Sequence, residues 1–113
     1  MKSKILALSK NEEFKKLINK KKISNRYVTI FFGFLDNKNK KRLNISFVTK
    51  KKIGNAVKRN KIKRRLRNIM NEAIKKISIK LQYSYLVIAK PTMLSNEFNN
   101  IKETLLQEFE RIR

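Results

Sequence analysis

The chain has 113 residues, a net charge of +22 and a pI near 10.7. It contains no cysteine and no histidine, which excludes disulfides, zinc fingers, thiol nucleophiles and histidine-based acid–base chemistry. Its length and 41% apolar content predict one domain, residues 1–113, with a single packed core.

The charge is unevenly placed. Residues 14–96 hold 24 basic and 2 acidic side chains and so carry the whole excess. Such a surplus opposes folding by self-repulsion and points to a polyanionic partner. The run Ile5-Leu6-Ala7-Leu8 is too short for a signal-peptide core, and no apolar run approaches membrane-spanning length. The expectation is a cytoplasmic or nucleoid-associated protein with no membrane partner.

In chain order, Ser9 and Glu12 make a capping box that predicts a first helix running to about Lys20, with Phe14, Leu17 and Ile18 on one side. Phe14 reads first as ordinary core. Asn25 to Leu35 alternates as a strand. Val28, Ile30, Phe32 and Phe34 form a set suited to the core, and Tyr27, Thr29, Phe31 and Gly33 form a mixed set on the other face. An aromatic on a polar sheet face is a candidate platform for unpaired bases, unless a second element buries that face. Asp36 to Lys41 is turn chemistry. A strand over Arg42–Lys50 follows, with Leu43, Ile45 and Phe47 inward and Asn44, Ser46 and Val48 outward, and the six-residue gap suggests an antiparallel hairpin.

Gly54 then breaks the chain ahead of a basic helix predicted from Asn55 to Ser78. Ten of the eighteen residues from Lys50 to Arg67 are Lys or Arg, yet Ile62, Leu66, Ile69, Ala73 and Ile77 fall on one helical stripe. A disordered tail has no reason to carry that stripe. At 100° per residue, Asn60, Lys63, Arg64 and Arg67 form one polar flank and Lys58, Lys61 and Arg65 the other. Arg59 sits beside the apolar azimuth, where it either snorkels or reaches past the sheet edge to a ligand. Tyr83 to Ala89 is a third strand, ended by Lys90-Pro91. Ser95 reads as the N-cap of a last helix with Phe98, Ile101, Leu105, Phe109 and Ile112 on one face and the acidic residues elsewhere. The fold class is α+β: a mixed sheet of three to four strands with three helices, in the order helix, strand, strand, long helix, strand, helix. The passage through the basic helix is a parallel crossover, which handedness rules alone make right-handed.

The run Lys52-Ile53-Gly54-Asn55-Ala56-Val57-Lys58-Arg59-Asn60-Lys61-Ile62-Lys63-Arg64, with Arg67 three further on, resembles the signature of the bacterial ribonuclease P protein component. Leu8 to Phe14 resembles the family's opening helix. Asn25-Arg26 and the strand ending at Lys90-Pro91 stand in the expected places. The resemblance implies a two-layer α-β sandwich with a left-handed crossover. It implies a cytoplasmic, monomeric protein that binds the ribonuclease P RNA one to one, together with precursor tRNA. In that family the RNA, with Mg²⁺, cleaves off the 5′ leader, and the protein supplies no catalytic residue and no metal ligand.

By the same resemblance, Lys52, Asn55, Arg59, Asn60, Lys61, Lys63, Arg64 and Arg67 contact RNA. Phe14, Ile18, Phe31 and Lys90 line a cleft for the leader. The chain departs from the family where Lys61 replaces an Arg that can grip phosphate bidentately, and where Ile18 replaces an aromatic. Two other classes fit the same charge: a ribosomal or other structured-RNA-binding protein, and a DNA-binding helix. Ten cations crowd a recognition helix and leave few side chains to read bases.

Overall fold

The computed structural model describes residues 5–9, 11–36, 38, 41–95 and 97–112. Five strands and three helices follow in the order β1 (Ile5–Leu6), α1 (Glu12–Ile18), β2 (Lys21–Ser24), β3 (Val28–Gly33), β4 (Leu43–Val48), α2 (Ala56–Lys76), β5 (Ser84–Ala89) and α3 (Phe98–Arg111). The sheet is mixed, with strand order β1-β4-β5-β3-β2. β4 and β5 are parallel neighbours joined through α2, as the pattern predicts.

The main core lies on one face of this sheet. Val28, Ile30 and Phe32 of β3, Leu43 and Ile45 of β4, and Tyr85 and Val87 of β5 meet Ile62, Leu66, Ile69, Met70 and Ala73 of α2 and Ile101, Leu105 and Phe109 of α3. The α2 stripe is therefore the face that packs, with Met70 added to it. α1 crosses the opposite face, where Leu8, Leu17 and Leu86 form a smaller cluster with Phe14, Phe31, Leu35, Val48 and Ile88 around it.

Several expectations need correction. β3 and β4 do not form a hairpin. β5 lies between them, antiparallel to β3 and parallel to β4. The connection runs from Gly33 to Leu43, long enough to step over one strand; of the expected Asp36–Lys41 turn, residues 37, 39 and 40 lie outside the described residues. The two extra strands are edges: β2 pairs with β3, and β1 pairs with the first two residues of β4. Phe34 continues the inward parity but lies past the end of the ladder and is 61% exposed. Tyr27, expected on the opposite face, is buried in the main core. It precedes the ladder in a turn where Asn25 Oδ1 accepts the Tyr27 and Val28 N–H groups at 2.8 and 3.0 Å.

Asn44 and Ser46, expected outward, are buried, and Ser46 Oγ accepts the Leu8 N–H at 2.7 Å from the chain entering α1. The first helix is shorter than its sequence signal. It starts after Asn11, and Glu13 instead of Glu12 accepts the Ser9 N–H, at 2.7 Å, while also pairing with Lys38. It stops at Ile18, where Asn19 is the C-cap. Ser95 does not cap α3. It closes a 3-10 turn over Pro91–Leu94, because Pro91 fixes a turn start there, and Glu97 precedes the helix.

Candidate nucleic-acid interface

The motif helix is set in place by its first few residues. A 3-10 turn over Lys51–Ile53 buries Ile53, and Gly54 then adopts φ +150°, a conformation that side chains strain against. Asn55 follows as a true N-cap, its side-chain oxygen accepting the Lys58 N–H at 3.0 Å. With Ile62, Leu66 and Ile69 buried, the rotation of α2 is fixed and so is the direction of each cation.

Arg59, Lys63 and Arg67, spaced one turn apart, line a cleft of about 710 Å³. Its other walls are Ile5, Ala7 and Leu8, Phe14 of α1, and Ile45 to Thr49 along β4. The cleft exists because β1 pairs only with Leu43 and Asn44, leaving the rest of the β4 edge uncovered by a strand. Arg59 is half-buried there. Its Nε and the Thr49 Oγ1 are buried without a hydrogen-bond partner among the described residues. A guanidinium N–H and a hydroxyl left so bear a desolvation cost of roughly 1–3 kcal/mol each, which a phosphate or ribose oxygen would offset.

Of the remaining expected RNA contacts, Lys52, Asn60, Lys61 and Arg64 are exposed on the outer side of the helix and its approach. Arg65 lies on the other flank, with its Nη1 3.5 Å from the Met93 carbonyl. Among the described residues no carboxylate lies in ion-pair range of any cation from Lys50 to Arg67. The acids are committed elsewhere. Glu72 is held by Lys102 and Lys76 at 3.2 and 3.4 Å, and the Lys102 hydrogen bond leads in lowering its pKa against the opposing effect of desolvation. Glu108 is nearly buried, accepts from Asn25 Nδ2 at 3.1 Å and faces Arg111. For Glu13, burial acts to raise the pKa, but the bonds from Lys38 and Ser9 outweigh it and hold the carboxyl below the usual glutamate range.

On the α1 side of the sheet, register aligns two rows across three strands. Phe31, Leu86 and Ser46 form one row, and Thr29, Ile88 and Val48 the other. The first is roofed by α1, and the second is half-buried and open. Phe14 and Phe31 thus belong to one cluster. Ile18 lies on the same helix but is 49% exposed. Lys90 stands apart at the end of β5, where its Nζ donates to Ser24 Oγ at 2.8 Å and to the Asn25 carbonyl. Phe14 borders both the α1-side cluster and the Arg59 cleft, so the two regions are continuous. Val48 and Thr49 were missed by sequence reasoning; the one available signal was their place just ahead of the basic run.

A family model described as Ribonuclease P matches residues 3–113. The ribonuclease P protein component of Bacillus pumilus is 37% identical over 105 residues, covering 92% of this chain and 85% of that protein. That of Carboxydothermus hydrogenoformans is 36% identical over 103 residues, covering 88% and 84%. Among solved structures, the RNase P protein from Thermotoga maritima superposes with a TM-score of 0.80 at 25% identity, over 96% of this chain and 98% of that one. A Staphylococcus aureus RNase P protein mutant with defective mRNA degradation activity gives 0.78 at 25% identity, over 94% and 86%.

Proposed function

Because the chain belongs to the ribonuclease P protein family, we propose that it works as the protein subunit of that endoribonuclease, binding one catalytic RNA through α2 and the 5′ leader of precursor tRNA beneath α1. Removal of the leader gives the mature 5′ end of the tRNA. The observation that carries the assignment of surfaces is the continuity of the two regions at Phe14.

Each side chain has a role that its chemistry allows. Arg59, Lys63 and Arg67 neutralise phosphates along the cleft, Arg59 able to donate from Nε as well as from its terminal nitrogens. Asn60, Lys61 and Arg64 meet the RNA from the outer flank, with Lys52 and Asn55 at the approach to the helix. Phe31 and Phe14 stack on leader bases, Ile18 adds apolar contact, and Lys90 supplies a charge at the end of the cleft. Holding the leader at a fixed place converts substrate binding into orientation of the scissile bond.

The bond cleavage itself is assigned to the RNA. Mg²⁺ prefers carboxylate and phosphate oxygens, and the described residues hold no group of three acidic or other ligating side chains. The α2 wall of the cleft carries Arg59, Lys63 and Arg67, and their positive charge disfavours a metal ion there. We place the ion with RNA phosphates and the protein in the cytoplasm, as a monomer in a one-to-one particle. No helix among the described residues is long and apolar enough to cross a membrane.

Reconstitution tests this reading. Protein alone in Mg²⁺ should leave precursor tRNA intact, and protein with the cognate RNA should cleave it at low salt. Cleavage by RNA-free protein, or co-purification with ribosomal subunits in place of one structured RNA, would overturn it.

A further inference from the structure

Arg65 belongs to neither RNA surface assigned above, yet it is a half-buried guanidinium with nothing negative beside it. Only its Nη1 has a partner among the described residues, the Met93 carbonyl at 3.5 Å, which is long for a hydrogen bond. The rest of the donor fork is free to take a ligand.

The rotation of α2 gathers two exposed cations beside it. At 100° per residue, Lys58, Lys61 and Arg65 fall within about 60° of one another, on roughly the opposite side of the helix from Arg59, Lys63 and Arg67. Along the axis they span about 10 Å. This flank looks onto the 3-10 turn over Pro91–Leu94 and onto α3, which pack along the same side of the helix. Arg65 reaches Met93 there, and two turns further on Glu72 is held by Lys102 of α3 at 3.2 Å. The cationic row stops where Glu72 begins. From Glu72 onward the flank neutralises itself through Lys76 and Lys102, whereas from Lys58 to Arg65 it holds no acid and no ion pair. Glu97, just past the facing turn, is exposed and makes no ion pair among the described residues.

The three cations differ in what they can hold. An ammonium acts as a point charge, but a guanidinium can grip two oxygens of one phosphate. Arg65 is the one guanidinium of the three, and its stem is already packed, so binding costs it less freedom than an extended surface lysine.

We propose that the valley between α2 and the Pro91–Leu94 turn is a phosphate site for the backbone of the catalytic RNA, with Arg65 as its bidentate anchor and Lys58 and Lys61 as flanking charges. The occupant is the catalytic RNA and not the leader, because α2 and Met93 lie on the main-core side of the sheet and the leader region lies across it, under α1. The valley is also continuous with the outer side of α2, since Lys61 is one turn from both Arg64 and Arg65. RNA then holds a helix about 10 Å across from two sides, which fixes the rotation of α2 in the particle as well as its position. The proposal rests on the reading of α2 as the helix that binds the catalytic RNA.

The test measures assembly of the protein with the cognate RNA over a series of KCl concentrations. Arg65→Gln should weaken assembly about tenfold and flatten the log–log slope by about 0.7 to 0.9. Arg65→Lys keeps the charge, so the slope should hold while affinity falls about threefold. Adding Lys61→Arg to Arg65→Lys should recover that loss, because a guanidinium returns to the same flank one turn away. An arginine that serves only to tie α2 to Met93 gives another pattern. Both Arg65 variants then lower the melting temperature, the slope of Arg65→Gln is unchanged and Lys61→Arg rescues nothing; that result overturns the proposal. A photo-crosslinker in place of Lys58 should label the catalytic RNA, and labelling of the leader overturns the choice of occupant. Arg64→Ala is the control. If it flattens the slope while Arg65→Gln does not, only the valley site fails; if neither does, the assignment of α2 to RNA fails with it.

Discussion

The side-chain oxygen of Asn55 accepts the main-chain N–H of Lys58 at 3.0 Å, closing the first turn of the helix that carries the basic box. A residue assigned to RNA by its place in the motif is therefore also a structural cap. Asn55→Ala should cost about 1 kcal/mol of stability, and Asn55→Asp should keep the cap. The aspartate also puts a negative charge beside the RNA surface. Thermal melting should separate alanine from asparagine, whereas RNA affinity should fall for both variants.

Arg59 and Arg64 project from different sides of α2, one into the cleft and one outward. If both neutralise phosphates, Arg59→Ala and Arg64→Ala should each weaken assembly with the RNA. Each should flatten the log–log salt dependence by about 0.7 to 0.9. Affinity titrations over a series of KCl concentrations measure the slope, and an unchanged slope removes that side chain from the phosphate contacts.

Phe31 is half-buried on the α1 side, between Lys22 and Leu86. Phe31→Ala should weaken binding of leader-bearing precursor by roughly 1–3 kcal/mol and spare mature tRNA. Filter binding of the two RNAs to the reconstituted particle decides it. An equal loss for both, or a large fall in melting temperature, would assign the ring to packing alone.

Glu13 ties α1 to the β3–β4 connection through Lys38 and accepts the Ser9 N–H. Its carboxyl is held below its ordinary pKa, so its stabilising contribution is complete above the unfolded-state value near 4.5 and is lost as pH falls through the lower folded-state value. Glu13→Gln should lower stability by about 0.5–1 kcal/mol at pH 7. That difference should vanish at low pH, where both side chains are neutral. Denaturant melts across the acid range provide the comparison.

What the sequence discloses depends on how each element is held. α2 was legible because its apolar stripe repeats over about four turns, and Gly54 and Asn55 mark its start. β2 carries little signal, since Lys21, Lys22 and Ser24 are exposed and pair through their backbone. β1 is two residues long. Alternation identified β3 and β4 as strands but could not name their neighbour, because inward parity is the same whether the partner is the next strand or a later one. Phe34 shows the limit of parity itself: alternation continues past the last ladder bond, and burial does not. The candidate site was legible as a motif. Its cleft was not, because the walls come from Ile5 to Leu8, α1, β4 and α2, segments that meet only after folding. The hand of the crossover leaves no trace in patterning.

β5 is the last strand to appear in the chain, yet it fills the gap between β3 and β4. Until residues 84–89 have been synthesised, the two earlier strands have no shared ladder and α2 has no completed sheet to pack on. Closure of the sheet is thus a late, non-local event, and the slow step of folding should follow it. A chain stalled on the ribosome before that point displays the basic segment without its fixed geometry. Such a fragment can attract RNA by charge but cannot seat it, so the order of synthesis itself delays specific assembly until the protein is nearly complete.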